Sequence, residues 1–215
     1  MRKHARIAWC LLPLGVLLFH FTTGQRLLFA EKSIQLRLLG KTSELAGNHK
    51  KAVRFYLSAE NAAHPKDGVL RTRLRIDAAR ALTLEGSPLE AAEQMDILLE
   101  PRSGQPLPGT LVAEAKSTLG LALYYAAYTL RLESSSPDMR TSDTDGACQI
   151  FRDLYNAEIR TDKKTLALFY ARTLEASIRL ARARQGELAS QPVPDAARAA
   201  LERGVASKKR TAASE

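Results

Sequence analysis

The chain has 215 residues with 45% apolar and 26% charged residues, so it has room for one globular domain with tails and is neither collagen-like nor disordered. Leucine and alanine dominate while valine and isoleucine are sparse, which favours helices over a sheet. The net charge of +9 falls to about +3 when six basic residues of the two termini are set aside. Because the remaining charge is small and no nucleic-acid-binding motif accompanies it, we do not expect nucleic-acid binding.

The N-terminal segment has the features of an export signal. A basic leader over residues 1–6 precedes an uncharged apolar run over residues 7–23, which is at the short limit for a spanning helix of about 17–25 residues. The positive-inside bias keeps the leader in the cytoplasm. The sequence predicts a signal anchor or signal peptide over residues 7–30, with anchoring favoured. The body is then membrane-anchored outside the cytoplasm, or secreted or periplasmic after cleavage.

Two helices are predicted next, the first from Ser33 and the second after a break at Gly47-Asn48. Each has one face at helical spacing. The face residues are Leu36, Leu39 and Ser43 on the first helix and Ala52, Tyr56 and Ala59 on the second.

A second pair of helices follows a proline turn at Pro65 to Gly68. The first helix of this pair runs from about Val69 to Leu84, and Pro88 suits the first turn of the next one. Residues 104–109 are expected to form a loop. The inward positions are Leu74, Ala78, Ala81 and Leu82, then Ala91, Met95, Leu98 and Leu99.

The two pairs share a skeleton of small residues at the helix contact and a glycine at the break. In residues 33–66 it consists of Leu39, Gly40, Gly47, Ala52, Tyr56, Ala59 and Pro65, and in residues 72 to about 103 of Ala79, Gly86, Ala91 and Met95. This skeleton resembles the tetratricopeptide repeat, which has a period of about 34 residues. The chain departs from that family at Leu36 and Ser43, which replace its tryptophan and first tyrosine. The resemblance implies an all-α solenoid of helical hairpins, with about seven helices, that binds other proteins.

A third, degenerate unit and a final helix complete the array. Residues 134–146 are predicted to be a long polar loop inside the third unit, and residues 164–188 an amphipathic helix that caps the stack. Asp195 is expected to start a short helix to about Arg203 within a flexible basic tail over 190–215. The third unit carries Leu119, Gly120, Leu123, Tyr124, Ala147, Phe151 and Leu154, and the last helix carries Leu166, Phe169, Tyr170, Leu174, Ile178 and Ala181.

Residues for catalysis or metal binding are sparse. His49 and His64 fall in predicted turns, and no nucleophile lies at a suitable spacing from either. Asp143 to Gly146 fits a calcium loop poorly, because Arg152 stands where a glutamate is needed, so an acidic turn before Ala147 is expected instead. Cys148 is expected to pack as a small apolar residue, with a reactive thiol as the alternative. We therefore expect no enzyme, cofactor, metal or small-molecule substrate.

The resemblance implies a concave groove lined by the first helix of each unit. Carried over position by position, it would be a basic and aromatic-lined groove, which suits an acidic or extended segment of another protein. The asparagines of the family's carboxylate clamp are absent, and a merely solvated charged face is the alternative. The predicted contact residues are Arg37, Lys41, Arg73, Arg80, Tyr124 and Tyr125, flanked by Leu45, Ile76, Leu84 and Leu121.

These observations divide the chain into a leader (1–6), an anchor or signal (7–30), a helical domain (31–189) and a tail (190–215). The function they favour is a membrane-associated, extracytoplasmic scaffold for protein–protein interaction. One alternative is an assembly subunit that docks in a larger membrane complex through its third unit and last helix. Another is an accessory domain of a separately encoded enzyme.

Overall fold

The structure is a computed structural model that describes residues 25–100, 107–133, 137–161, 163–184, 187, 188 and 198. Within these ranges it is built of α-helices alone, so the predicted all-α class is confirmed. The helices are α1 (Gln25–Leu45), α2 (His49–Ala62), α3 (Gly68–Glu85), α4 (Pro88–Leu99), α5 (Gly109–Leu132), α6 (Pro137–Arg160) and α7 (Lys164–Arg182).

The predicted leader and apolar run, residues 1–23, lie outside the described residues, as does nearly all of the predicted tail. Helix α1 begins at Gln25, well before the predicted start at Ser33, so the last residues of the segment 7–30 belong to the same helix as the first repeat. Across the described ranges, none of the helices combines the length and apolar character needed to cross a bilayer.

The first two helical pairs turn in the same way. Gly47 and Gly86 both have positive φ, +73° and +97°, which a side chain would disfavour. In each turn the amide after the glycine donates to a carbonyl five residues earlier, at 2.8 Å in the first and 2.9 Å in the second. This is the Schellman arrangement, which satisfies the last carbonyls of the first helix. The two glycine breaks predicted from the sequence therefore have the same turn geometry.

A small residue on the first helix of each pair meets a large one on the second. Gly40 lies so close to Tyr56 that a Cβ atom would be 2.6 Å from the ring, and a Cβ atom on Gly120 would be 2.9 Å from the Phe151 ring. In the second pair the equivalent positions are Ala79 and Met95, both fully buried. The small residues therefore set how closely the paired helices approach.

The helices pack in series. Each described helix packs on the next along the chain, and α3 also packs on α5. One buried cluster extends through α2, α3, α4 and α5, with Leu36 of α1 at its edge. Two smaller clusters join α5 to the later helices, one around Phe151 and Tyr170 and the other around Tyr128 and Leu180. The core is thus continuous from unit to unit and has no single centre.

The predicted polar loop over residues 134–146 is wrong for its main part, because α6 begins at Pro137. Proline is well tolerated there, since the first helical residues need no intrahelical amide partner. Gly146 lies against Leu123 of α5, where a Cβ atom would be 3.2 Å from a methyl carbon, and Thr144 is buried. The expected acidic turn from Asp143 to Gly146 is therefore part of a helix, and its glycine serves a helix crossing.

The predicted faces of the two end helices are only partly right. Leu39 of α1 is 47% exposed, and the positions buried against α2 are Ser33, Gly40 and Ser43. Helix α7 ends at Arg182 instead of Leu188. Its buried residues are Ala167, Tyr170, Ser177 and Leu180, whereas Leu166, Phe169 and Ala181 are exposed.

Candidate functional site

Two of the predicted groove arginines meet on one buried carboxylate between α1 and α3. Asp77 is 5% exposed, and its Oδ2 accepts a hydrogen bond at 2.9 Å from Nε of Arg37. Nη2 of the same guanidinium also lies 2.9 Å from this oxygen. The other oxygen of Asp77 is 3.7 Å from Nη1 of Arg80, one turn later on α3. Because a buried carboxylate needs partners, Asp77 orders both guanidinium groups on one side of the two helices.

A second ion pair continues this surface from α3 to α5. The guanidinium of Arg73 lies 3.9 Å from the Glu114 carboxylate, and both side chains are partly exposed. Arg73, Asp77 and Arg80 are spaced at i, i+4 and i+7, so they form one stripe along α3. Alternate helices are therefore bridged side by side, Arg37 to Asp77 and Arg73 to Glu114. We call the surface formed by Arg37, Lys41, Arg73, Asp77, Arg80 and Glu114 the odd-helix face.

Lys41 lies one turn after Arg37 on α1 and is exposed. It forms no ion pair with any residue in the described ranges, unlike the three arginines. Among the described residues, no carboxylate therefore compensates the charge of Lys41, whereas each of the three arginines has an acidic partner.

The predicted aromatic pair lies at the other end of the array. Tyr124 and Tyr125 of α5 are in edge contact with ring centroids 5.2 Å apart, and Tyr128 follows one turn later, 6.3 Å from Tyr124. Burial, followed by the neighbouring tyrosines, raises the pKa of Tyr124 to about 12. Its hydroxyl therefore stays protonated at neutral pH and can donate a hydrogen bond. The six predicted residues thus fall into a basic group on α1 and α3 and an aromatic group on α5.

Charged residues on α7 complete the aromatic end, although they were not predicted as groove residues. Arg172, Glu175 and Arg179 lie with Tyr124 and Tyr128 around a pocket of about 380 Å³. The signal in the sequence was their i, i+3 and i+7 spacing on the polar side of the last helix. Asp77 was also missed, although a lone aspartate among the apolar positions of α3 marked it.

The remaining candidates for chemistry are His64, His49 and Cys148. His64 lies in the turn before α3, where its Nδ1 accepts a hydrogen bond from the Lys66 amide at 3.2 Å. His49 begins α2 beside a shallow pocket whose lining contains no serine, threonine or cysteine. Cys148 is half-buried on α6, and burial, with Asp145 as a lesser cause, raises the pKa of its thiol. In the part of the chain that the structure describes, no group of three histidine, cysteine or acidic side chains could hold a metal ion.

The chain matches no known protein-family model, no curated protein and no solved structure.

Proposed function

We propose that this protein is a tetratricopeptide-like scaffold that binds a segment of another protein along its odd-helix face. The leader and apolar run of residues 1–23 favour a membrane-associated scaffold whose helical domain lies outside the cytoplasm. The single observation that carries the proposal is the side-by-side bridging of alternate helices, Arg37 to Asp77 and Arg73 to Glu114. Adjacency of alternate helices is what a stack of helical hairpins requires.

The charge of this face supports an acidic or extended partner segment. Four cations, Arg37, Lys41, Arg73 and Arg80, stand against the two carboxylates of Asp77 and Glu114. Arginine pairs with carboxylates in a bidentate geometry, and Lys41 adds a cation that is free within the described ranges. A surplus of positive charge also accelerates the encounter with an acidic partner.

The test uses a photo-crosslinking amino acid placed at Lys41, in full-length protein in its native membranes. As a matched control, the same amino acid replaces Arg54, which is exposed on α2 and does not belong to the odd-helix face. We expect one partner, identified by mass spectrometry, to be crosslinked from position 41 and not from position 54. Equal crosslinking from both positions, or none from position 41, contradicts the proposal.

Charge reversal supplies the second arm of this experiment. The double variant Lys41→Glu with Arg73→Glu changes one exposed and one partly exposed cation and leaves the pair of Arg37 with the buried Asp77 intact. We expect partner capture to fall at least ten-fold, whereas Arg54→Glu leaves it unchanged. Thermal unfolding of each variant shows whether the fold is retained. Unchanged capture by the folded double variant would show that the odd-helix face is not the binding surface.

A second candidate, an assembly subunit that docks through its last hairpin, is favoured by apolar exposure there. Four apolar residues around the turn from α6 to α7 are 42–53% exposed: Ile159, Leu166, Leu168 and Phe169. Leu168→Glu should then reduce the size of the native complex in sedimentation, whereas Leu57→Glu on α2 should not. A complex of unchanged size counts against this candidate.

A further inference from the structure

A pocket between α5 and α7 lies at the end of the array opposite to Asp77. It has a volume of about 380 Å³ and is lined on the α5 side by Tyr124 and Tyr128. Ala176 and Leu180 of α7 form the apolar part of the other wall, and Leu188 lies beyond the end of that helix. Pockets that bind small molecules have volumes of about 300–1,000 Å³, so this one has room for one or two side chains.

Among the described residues around this pocket, one cation has no carboxylate partner. Arg179 is held by Glu175 of the same helix, so these two residues neutralise each other. Arg172 is exposed and forms no ion pair with any residue of the described part of the chain. The hydroxyl groups of Tyr124 and Tyr128 likewise make no hydrogen bond to described residues. The pocket thus offers a guanidinium and phenol donors beside an apolar wall.

We infer that this α5–α7 pocket anchors a partner segment in which an acidic side chain lies next to a large apolar one. The carboxylate pairs with Arg172, and the apolar side chain packs against Tyr128, Ala176 and Leu180. The inference rests on the proposed function, since it names the site where one end of the bound segment is held.

The chemistry of the lining selects this kind of segment over others. A guanidinium forms short, bidentate hydrogen bonds with a carboxylate, and these are stronger than bonds between neutral groups. A basic segment would place a second cation beside Arg172 at a cost. A polar segment would leave the aromatic and aliphatic wall unfilled, so the affinity gained from burying apolar surface would be lost. The acidic and the apolar side chain are therefore both required.

The experiment selects binders from a phage-displayed library of random twelve-residue peptides, and the bait is the full-length chain. Two variants change the pocket: Arg172→Glu reverses its free cation, and Ala176→Trp fills its apolar part. Arg182→Glu is the matched control, because Arg182 is exposed on the same helix and does not line the pocket. Circular dichroism confirms that the variants are folded.

We expect the selected peptides to be enriched in Asp or Glu beside Leu, Ile or Phe. Their dissociation constants, measured by fluorescence anisotropy, should rise at least ten-fold with Arg172→Glu and with Ala176→Trp. With Arg182→Glu they should change less than two-fold. Peptides without this pairing, or peptides that bind both pocket variants as tightly as the natural chain, overturn the inference.

The two proposals can fail separately. If the Lys41 and Arg73 variant loses its native partner while both pocket variants bind partner and selected peptides normally, the pocket inference fails and the proposed function stands. If the pocket variants lose the selected peptides while crosslinking from Lys41 yields nothing, the proposed function fails and the pocket remains a peptide site.

Discussion

At the scale of single residues, glycine has two different tasks in this chain. Gly47 and Gly86 adopt positive φ in turns, whereas Gly40 and Gly120 lie inside helices directly against an aromatic ring. The first task depends on backbone freedom and the second on the absence of a side chain. The sequence pattern assigned Gly47 and Gly86 to the breaks between helices. It assigned Gly40 and Gly120, each preceded by leucine, to the first helix of a unit.

Gly40→Ala should destabilise the fold by about 1–3 kcal/mol, since the added methyl group would lie 2.6 Å from the Tyr56 ring and must displace it. Gly68→Ala is the matched control, because a Cβ atom there has no neighbour within 4 Å. That control should be neutral or stabilise by up to about 1 kcal/mol through a less flexible unfolded chain. Urea unfolding of both variants is the measurement. Equal stability of the two variants would mean that Gly40 does not lie against the Tyr56 ring in the folded protein.

The Tyr124 hydroxyl predicts a loss of stability in alkali. Its pKa in the folded protein, about 12, exceeds the ordinary value of 10, so the unfolded chain releases this proton first. The contribution is fully present below pH 10 and is lost as the pH rises through 12. Tyr124→Phe should therefore show a smaller fall in unfolding free energy than the natural chain between pH 9 and 12. Parallel curves for the two proteins would contradict this.

At the scale of the elements, α6 is where a sequence pattern was most misleading. Its first turns are rich in serine, threonine and aspartate, which are typical of loops and caps, and they end in a glycine. Tertiary packing overrides these preferences, because Thr144, Ala147 and Phe151 recur at helical spacing on the side that meets α5. A glycine at a helix crossing and a glycine in a turn look the same in a single sequence.

Asp145→Pro tests this helix directly. Asp145 is exposed within α6, so proline there removes a helical hydrogen bond and should cost about 3 kcal/mol, whereas a loop would accept it. Asp145→Ala serves as the control and should stabilise by up to about 0.7 kcal/mol through its helix propensity. The unfolding free energies of the two variants decide the matter. A proline variant as stable as the alanine variant would show that residue 145 is not helical.

The first and last helices show a different limit of prediction. Leu39 and Phe169 were assigned to buried faces on spacing alone, yet both are exposed. Periodicity identifies which residues share a face, but a face is buried only if a neighbour covers it. The inner helices α2, α3 and α4 have neighbours on both sides, and their predicted residues Ala52, Leu74 and Met95 are all buried.

At the scale of the whole molecule, the core is a series of neighbouring contacts. Tyr170 and Leu180 of α7 pack on α6 and α5, and neither belongs to the main cluster that runs through α2 to α5. In such an array each unit is stabilised chiefly by its nearest neighbours. Damage at one end should therefore remain largely local.

Truncation after residue 161, which removes α7, provides the test. Amide exchange should accelerate at least ten-fold around Phe151 and Tyr128, which lose Tyr170 and Leu180 as neighbours. Exchange in α1 and α2 should stay within two-fold of the full chain. A uniform acceleration through all helices would instead identify one cooperative unit, contrary to the series described above.

The sequence analysis named individual residues of the candidate site but not how they are arranged in space. The resemblance to the tetratricopeptide repeat, carried over position by position, named Arg37, Arg73, Arg80 and Tyr124. The ionic partner of Arg37 is Asp77, which lies 40 residues further along the chain. No local pattern contains such a distance, so the bridging carboxylate and the α5–α7 pocket appeared only in three dimensions.

The sequence by itself determined the helical class, the paired helices of the first two units and the glycine turns that join them. These features depend on local backbone preferences and on apolar periodicity, both of which act within a few residues. Only the tertiary structure decided that residues 137–146 are helical, which end faces stay uncovered and which arginines share Asp77. Those outcomes depend on the neighbour that each surface meets after folding, because burial and ion pairing are properties of the contact and not of the segment.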